Sequence, residues 1–338
     1  MAVKREQVPK VVLPAPAPEL YAQALVLAEQ APLPALIDNV RFGTAGWSDP
    51  SLSRDELFYP KGVKTPEQRL GHYAKHFQLV EVDATYYALL KAEVVARWVA
   101  WTPPTFHFDV KAHPVFTGHP LDRQRLPPEL VAAIPARLAR DHGRLYADAL
   151  PKELTAELEQ RYFDSLDPLS GAGRLASILV QFPPWFEATR GNARRLEQLR
   201  ERHPSAPFSV EFRHRSWLAP ERRDRVAALL RAQRLSYVVV DEPDVERGGV
   251  PPLAWVTSPR LAVLRFHGQN RRAWANPRAT VPERFNYLYA PAELAAWAAQ
   301  LRRLSGEAEQ VHAVFNNCVQ NYAILNAKGL AVLHSRAD

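Results

Sequence analysis

The chain has 338 residues, 47% hydrophobic and 23% charged, ordinary globular material for one large α/β domain or two small ones. It lacks the run of about 18 apolar residues a membrane span needs, and MAVKREQVPKVVLPAPAPEL has no continuous apolar core for a signal peptide, so a cytoplasmic protein with no membrane partner is expected. Cys318 stands alone, which excludes an intramolecular disulfide and a cysteine zinc site, while the net charge of +7 points only weakly to an anionic partner.

Residues 1–39 read as an extension. It holds six prolines, PAPAPEL is stiff and extended, and a short helix is expected over 20–30. From Arg41 the pattern becomes strand, loop, helix, repeated. The expected strands are RFGTAG (41–46), LVEVDA (79–84), FHFDVKA (106–112), SILVQF (177–182), FSVEFR (208–213), SYVVVDE (236–242), LAVLRFHG (261–268) and VHAVFNN (311–317). Amphipathic helices are expected between them at 65–77, 92–101, 191–203, 220–233 and 290–304. This order predicts a (β/α)8 TIM-type barrel over 40–338. No glycine-rich phosphate fingerprint supports the rival doubly wound sheet. Two departures are expected: a Pro/Gly-rich sixth-to-seventh strand link without a helix (243–259), and a third-to-fourth crossover elaborated over 114–176, with helices at 128–140 and 152–169. The crossover is read either as a lid or as a decoration of the fold.

Side chains alternate across a strand, so residues two apart share a face. One face of each strand packs on helices and must be apolar, which sends the other face to the axis. That inner set is Glu81, Asp83 and Thr85; His107, Asp109 and Lys111; Gln181; Ser209, Glu211 and Arg213; Asp241; Arg265 and His267; and Asn316. Buried ions cost several kcal/mol unless they are neutralised, so this set predicts a polar site at the C-terminal strand ends. A buried ion-pair network that only holds the barrel together is the structural alternative.

These residues also carry a resemblance. GTAGW (43–47), FYPKG (58–62), VEVDATYY (80–87), VARWVAWTPP (95–104), QFPP (181–184), VEFRHRSW (210–217), RFHG (265–268), FNYLY (285–289) and FNN (315–317) resemble, in order, the YecE-like family, a domain of unknown function. The resemblance implies a TIM-type barrel of the kind also seen in sugar isomerases and abasic-site endonucleases, and no particular reaction. Asp83 stands where family motifs of the VEINSTFY type carry Asn.

Glu81 and Glu211 are the expected catalytic acid and base, because burial and neighbouring cations tune carboxylates. Lys111, Arg213, His214, Arg265 and His267 suit an anion such as phosphate or carboxylate. Asn316 and Asn317 suit a sugar or amide, and Trp47 and Tyr87 offer stacking faces, whereas Trp217 reads as packing. Thr85, Gln181 and Tyr287 complete the expected substrate-binding set. No cofactor is expected; a divalent metal on Glu81, Asp83, Glu211, Asp241, His113 and His267 is the second option. The expected partner is a small anionic or sugar-like ligand. Nucleic acid is the alternative, from Arg271, Arg272, Arg278 and Arg284 interleaved with Trp274, Tyr287 and Tyr289. A third reading is a barrel that binds a metabolite without turnover.

Overall fold

Each of the eight expected strands forms, and hydrogen bonding closes them into a ring. In this computed structural model β1 (Val40–Ala45), β2 (Leu79–Val82), β3 (His107–Lys111), β4 (Leu175–Gln181), β5 (Phe208–Glu211), β6 (Ser236–Asp241), β7 (Leu261–Phe266) and β8 (Gln310–Phe315) run parallel in chain order, and β8 pairs back onto β1. Leu36–Ile37 adds a two-residue antiparallel pairing to β1. The structure describes residues 13–139, 144–245 and 249–336. The start of the extension (1–12), Arg140 at the end of the predicted 128–140 helix, and the centre of the 243–259 link lie outside them.

Apolar strand residues such as Val80, Phe108, Val180, Val210, Leu264 and Phe315 are buried against the surrounding helices. These are α1 (Pro18–Glu29), α2 (Pro66–His76), α3 (Ala92–Ala100), α4 (Lys152–Gly171), α5 (Arg190–Arg202), α6 (Arg223–Ala232), α7 (Pro291–Glu307) and α8 (Tyr322–Ser335). Helix α2 starts where the sequence signals it, with Thr65 and Gln68 forming a reciprocal capping box ahead of Pro66. The predicted 128–140 helix breaks into Pro128–Ala132 and Ala136–Ala139, since Pro135 has no N–H to continue the ladder. The described part of the 243–259 link holds no helix, as its Pro/Gly content implies.

Helix α8 was not expected from the periodicity. Its residues are buried nearly all round, from Tyr322 and Ala323 to Ala331 and Val332, so it has no polar face to give a 3.6-residue signal. The extension helix α1 covers its outer side. Tyr21 Oη donates to Asn321 Oδ1 at 3.1 Å, and a Cβ on Gly329 would lie 3.1 Å from Leu27 Cδ2. Part of the Pro-rich extension is therefore a packed layer of the barrel.

Register fixes which residues face the axis. Ser209 of β5 pairs with Ser236 of β6, and Val240 of β6 with Arg265 of β7. Ser236, Val238, Val240 and Glu242 thus share the inner face. Asp241, expected inside, faces the helix layer: its carboxylate accepts from Tyr289 Oη at 2.5 Å and Gln269 Nε2 at 2.7 Å. The Val238–Val240 run supplies no polar residue to set the phase, so alternation alone does not separate Asp241 from Glu242.

Candidate active site at the C-terminal end of the barrel

Three strands deliver charge to one point on the axis. Glu81 ends β2 one residue early, Glu211 closes β5, Arg265 sits in β7, and Arg213 lies two residues past β5 on the same face. Arg265 donates from Nε and Nη2 to Glu81 at 2.8 and 2.5 Å, and from Nη1 to Glu211. Arg213 Nε lies 2.6 Å from the other Glu211 oxygen, and its Nη1 donates to Glu242 at 2.6 Å. Gln181 Nε2 donates to Glu211 at 2.7 Å. His267 stands beside this group, with Nε2 3.2 Å from Arg213 Nη2 and Nδ1 3.0 Å from the Asn316 amide nitrogen.

Charge does not balance inside this cluster. Three buried carboxylates, Glu81, Glu211 and Glu242, share two guanidiniums. Burial raises Glu211, but Arg213 and Arg265 outweigh it and hold the carboxyl well below its usual range. Burial dominates at the other two: Glu81 rises to about 7 despite Arg265, and Glu242 to about 7 despite Arg213. Burial and the adjacent Arg213 push His267 down to about 3, so its imidazole is neutral. Glu242 was missed by the sequence reading because it follows the misphased Asp241.

Glu81, Glu211 and Arg265 are each no more than 1% exposed and satisfy one another. Exposure to solvent begins in the layer above them. There Lys111 Nζ lies 3.4 Å from Asp83, with side chains 15% and 36% exposed, and Gln181, Arg213 and Asn316 are partly exposed. His119, from the elaborated crossover, joins this layer: burial lowers its imidazole to about 4, helped by the charges of Lys111 and Arg213. Its sequence neighbours, Gly118 and Pro120, gave no period to place it.

Other expected residues hold the frame. Thr85 is buried and donates to the Lys111 and Val82 carbonyls. Asn317 donates to the Tyr287 carbonyl at 2.8 Å and to Asn326 at 2.9 Å, and the Tyr287 hydroxyl donates to Glu293 at 2.6 Å. Gly268, at φ +88°, makes the turn after β7 and lets Tyr287 approach where any Cβ would clash at 2.5 Å. His214 caps the turn Arg215–Trp217 and bonds Ser216 at 2.7 Å. Trp47 packs edge-on against Trp98 at 5.6 Å. Trp217 is stacked on Phe212 at 4.4 Å, the packing role expected of it.

The metal option does not fit this geometry. Asp241 faces away, His113 caps the turn Pro114–Thr117, and Arg265 stands between Glu81 and Glu211; among the described residues no three donor side chains converge. The loop after β7 separates its ingredients. Arg271, Arg272 and Arg278 are exposed and Arg284 is half-buried, whereas Trp274 lies under Arg213, Tyr289 is buried, and Tyr287 is half-buried with its hydroxyl on Glu293. Clefts of about 530 and 330 Å³ open beside α7 and beside Pro14–Pro16; neither is lined by Glu81 or Glu211. No helix among the described residues is long and apolar enough to cross a membrane.

Closed parallel strands, helices around them and a charged cluster at the C-terminal strand ends define a TIM-type barrel protein. A family model described as "Protein of unknown function DUF72" matches residues 41–337, and the chain belongs to that family. The UPF0759 protein YunF of Bacillus subtilis is 30% identical over 297 residues, 87% of this chain and 94% of its own length. YecE of Escherichia coli K12 is 45% identical over 53 residues, 16% of this chain and 20% of its own. The crystal structure of a family member from Thermotoga maritima superposes with a TM-score of 0.66 at 31% identity, covering 86% of this chain and 96% of that one. One from Enterococcus faecalis gives 0.70 at 27%, covering 88% and 96%.

Proposed function

We propose that the protein is an enzyme acting on a small sugar- or phosphate-bearing substrate at the C-terminal mouth, with Glu81 and Glu211 as its acid–base pair. The observation that carries this reading is the missing cation. Three buried carboxylates over two guanidiniums leave one charge uncompensated, and counting the rim pair Asp83 and Lys111 leaves four against three. A buried, uncompensated carboxylate is costly unless it takes a proton. Glu81 and Glu242 rise to about 7, so that proton is exchangeable near neutrality, where acid–base catalysis needs it. The cluster titrates as a unit, with Glu211 its ionised member.

Both carboxylates are covered, so the substrate must act through what covers them. Arg213 and Gln181 sit on Glu211 and reach the partly exposed layer. A substrate anion competes for Arg213 and loosens its hold on Glu211 and Glu242. The carboxylates then gain proton affinity as the substrate arrives, and Glu211 Oε1 keeps only the Gln181 amide.

The test is a turnover screen of phosphate esters and sugar phosphates for hydrolysis and isomerisation, repeated with Glu81→Gln and Glu211→Gln. Circular dichroism and urea unfolding first establish that each variant is folded. Turnover should fall by about 100-fold or more in each. Full activity in both folded variants, or a wild-type protein inert toward the whole panel, would overturn the proposal.

A further inference from the structure

Above the charged cluster the mouth carries an aromatic rim that acid–base chemistry does not use. Tyr86 and Tyr87 follow β2, His119 follows β3 and Trp185 follows β4, so three adjacent strands present it. The rings form a chain: Tyr87 to Tyr86 at 5.2 Å, Tyr86 to His119 at 5.6 Å, and His119 to Trp185 at 5.7 Å, each edge to face. Tyr87 and Trp185 are each 53% exposed. The other exposed large apolar side chains among the described residues are aliphatic: Val26, Leu33, Val94 and Val281. Exposed aromatic area is thus concentrated at the mouth, where burying it costs a ligand no rearrangement of the core.

Cations are set among these rings. Lys111 Nζ lies 5.0 Å over the Tyr86 ring, and the Arg125 guanidinium 5.4 Å over Tyr87. The second cation, Arg213, lies 5.5 Å over the Trp274 ring with its side chain 13% exposed, and its charge, like that of Lys111, helps lower the His119 imidazole. Lys111 has Asp83 as a counter-ion at 3.4 Å, longer than a close ion pair and partly open to solvent. A ligand oxygen can take that cation at little loss.

From this juxtaposition of exposed ring faces and rim cations we infer that the mouth binds a phosphate ester carried on a ring, a sugar phosphate or a mononucleotide. The ring lies on Trp185, beside His119, and the phosphate meets Lys111 and Arg213. The inference rests on the mouth being the substrate site and specifies the substrate's class. An aromatic face takes the C–H face of a sugar or the π face of a base, so the two sources share this chemistry.

Isothermal titration of the full chain at low salt and pH 7 separates them with five probes: inorganic phosphate, glucose 6-phosphate, adenosine 5′-monophosphate, glucose and adenosine. Glucose 6-phosphate or adenosine 5′-monophosphate should bind about tenfold more tightly than inorganic phosphate, the scale of one stacked ring, and which of them does so names the source. Trp185→Ala should remove that advantage and leave inorganic phosphate binding within about twofold. Lys111→Ala should weaken inorganic phosphate and ring phosphates alike. No binding by any probe, ring phosphates binding no tighter than inorganic phosphate, or an advantage that survives Trp185→Ala would overturn the inference. Turnover that depends on Glu81 without a ring advantage sinks this inference alone. A ring advantage with turnover unaltered in both Glu81→Gln and Glu211→Gln sinks the catalytic proposal alone.

Discussion

The guanidinium of Arg265 grips both carboxylate oxygens of Glu81 and turns its remaining nitrogen to Glu211, joining β2 to β5 across the barrel axis. All three side chains are buried, so the fork removes charge from water and must return it as paired charge. Arg265→Ala leaves two carboxylates without that partner and should cost about 3–5 kcal/mol in urea unfolding. Arg265→Lys keeps the charge but loses the planar fork, and should fall between the wild type and alanine. A loss below about 1 kcal/mol for Arg265→Ala would mean that the fork does not hold these strands together.

Anion binding at the mouth should draw in protons. Arg213 is shared by Glu211 and Glu242, and each carboxylate is held down by its charge. A bound anion diverts that charge and adds its own, so the carboxyl pKa values rise and the complex holds more protons than the free protein. Phosphate titrations at pH 7 in two buffers of different ionisation enthalpy should show net uptake of a fraction of a proton. Glu242→Gln should reduce it. Release of protons, after correction for the phosphate's own ionisation, would contradict this coupling.

Acid should weaken the fold before it reaches the ordinary carboxylate range. Burial lowers His76, His113 and His119 to about 4, and His107 and His267 to about 3. A lowered histidine contributes stability above its unfolded value near 6.5, and that stability is lost as the pH falls toward the folded value. Glu81 and Glu242 act in the opposite sense. Raised to about 7, they favour the folded state at low pH and lose that advantage between about 4.5 and 7. Five histidines oppose two glutamates, so unfolding free energy should be lower at pH 5 than at pH 7. Replacing Glu81 and Glu242 together by Gln should steepen the decline, provided the double variant folds. A flat or rising profile toward pH 5 would show that these histidines are not held neutral.

Much of this was legible in the sequence because a parallel barrel writes itself plainly. An apolar helix-facing side alternates with an inner side, and Glu81, Lys111, Gln181, Glu211, Arg213 and Arg265 were placed by that alternation alone. Legibility ended where the alternation lost contrast. In SYVVVDE three valines face both layers, so nothing separated Asp241 from Glu242. Helix α8 is buried on every side and shows no period. Loop residues such as His119 and Trp185 reach the mouth through chain reversals that periodicity does not describe. Sequence also could not distinguish a residue beside a ligand from one that ties the frame. Asn316 and Asn317 read alike, yet their side chains diverge.

That divergence gives a paired prediction. Asn317 is buried and bonded to the Tyr287 carbonyl and to Asn326, whose own amide brackets the backbone of Tyr289 through both its groups at 3.1 Å. It ties the end of β8 to the segment after β7 and to α8. Asn317→Ala leaves the Tyr287 carbonyl without this donor and should cost about 1–3 kcal/mol of stability. Asn316 is partly exposed, lies 3.0 Å from His267, and faces the mouth. Asn316→Ala should cost less than about 1 kcal/mol, because water can replace what it loses, and should weaken phosphate binding several-fold. Urea unfolding and phosphate titration on both variants give four numbers. The opposite pattern, a stability loss at Asn316 and a binding loss at Asn317, would reverse the roles assigned to these neighbours.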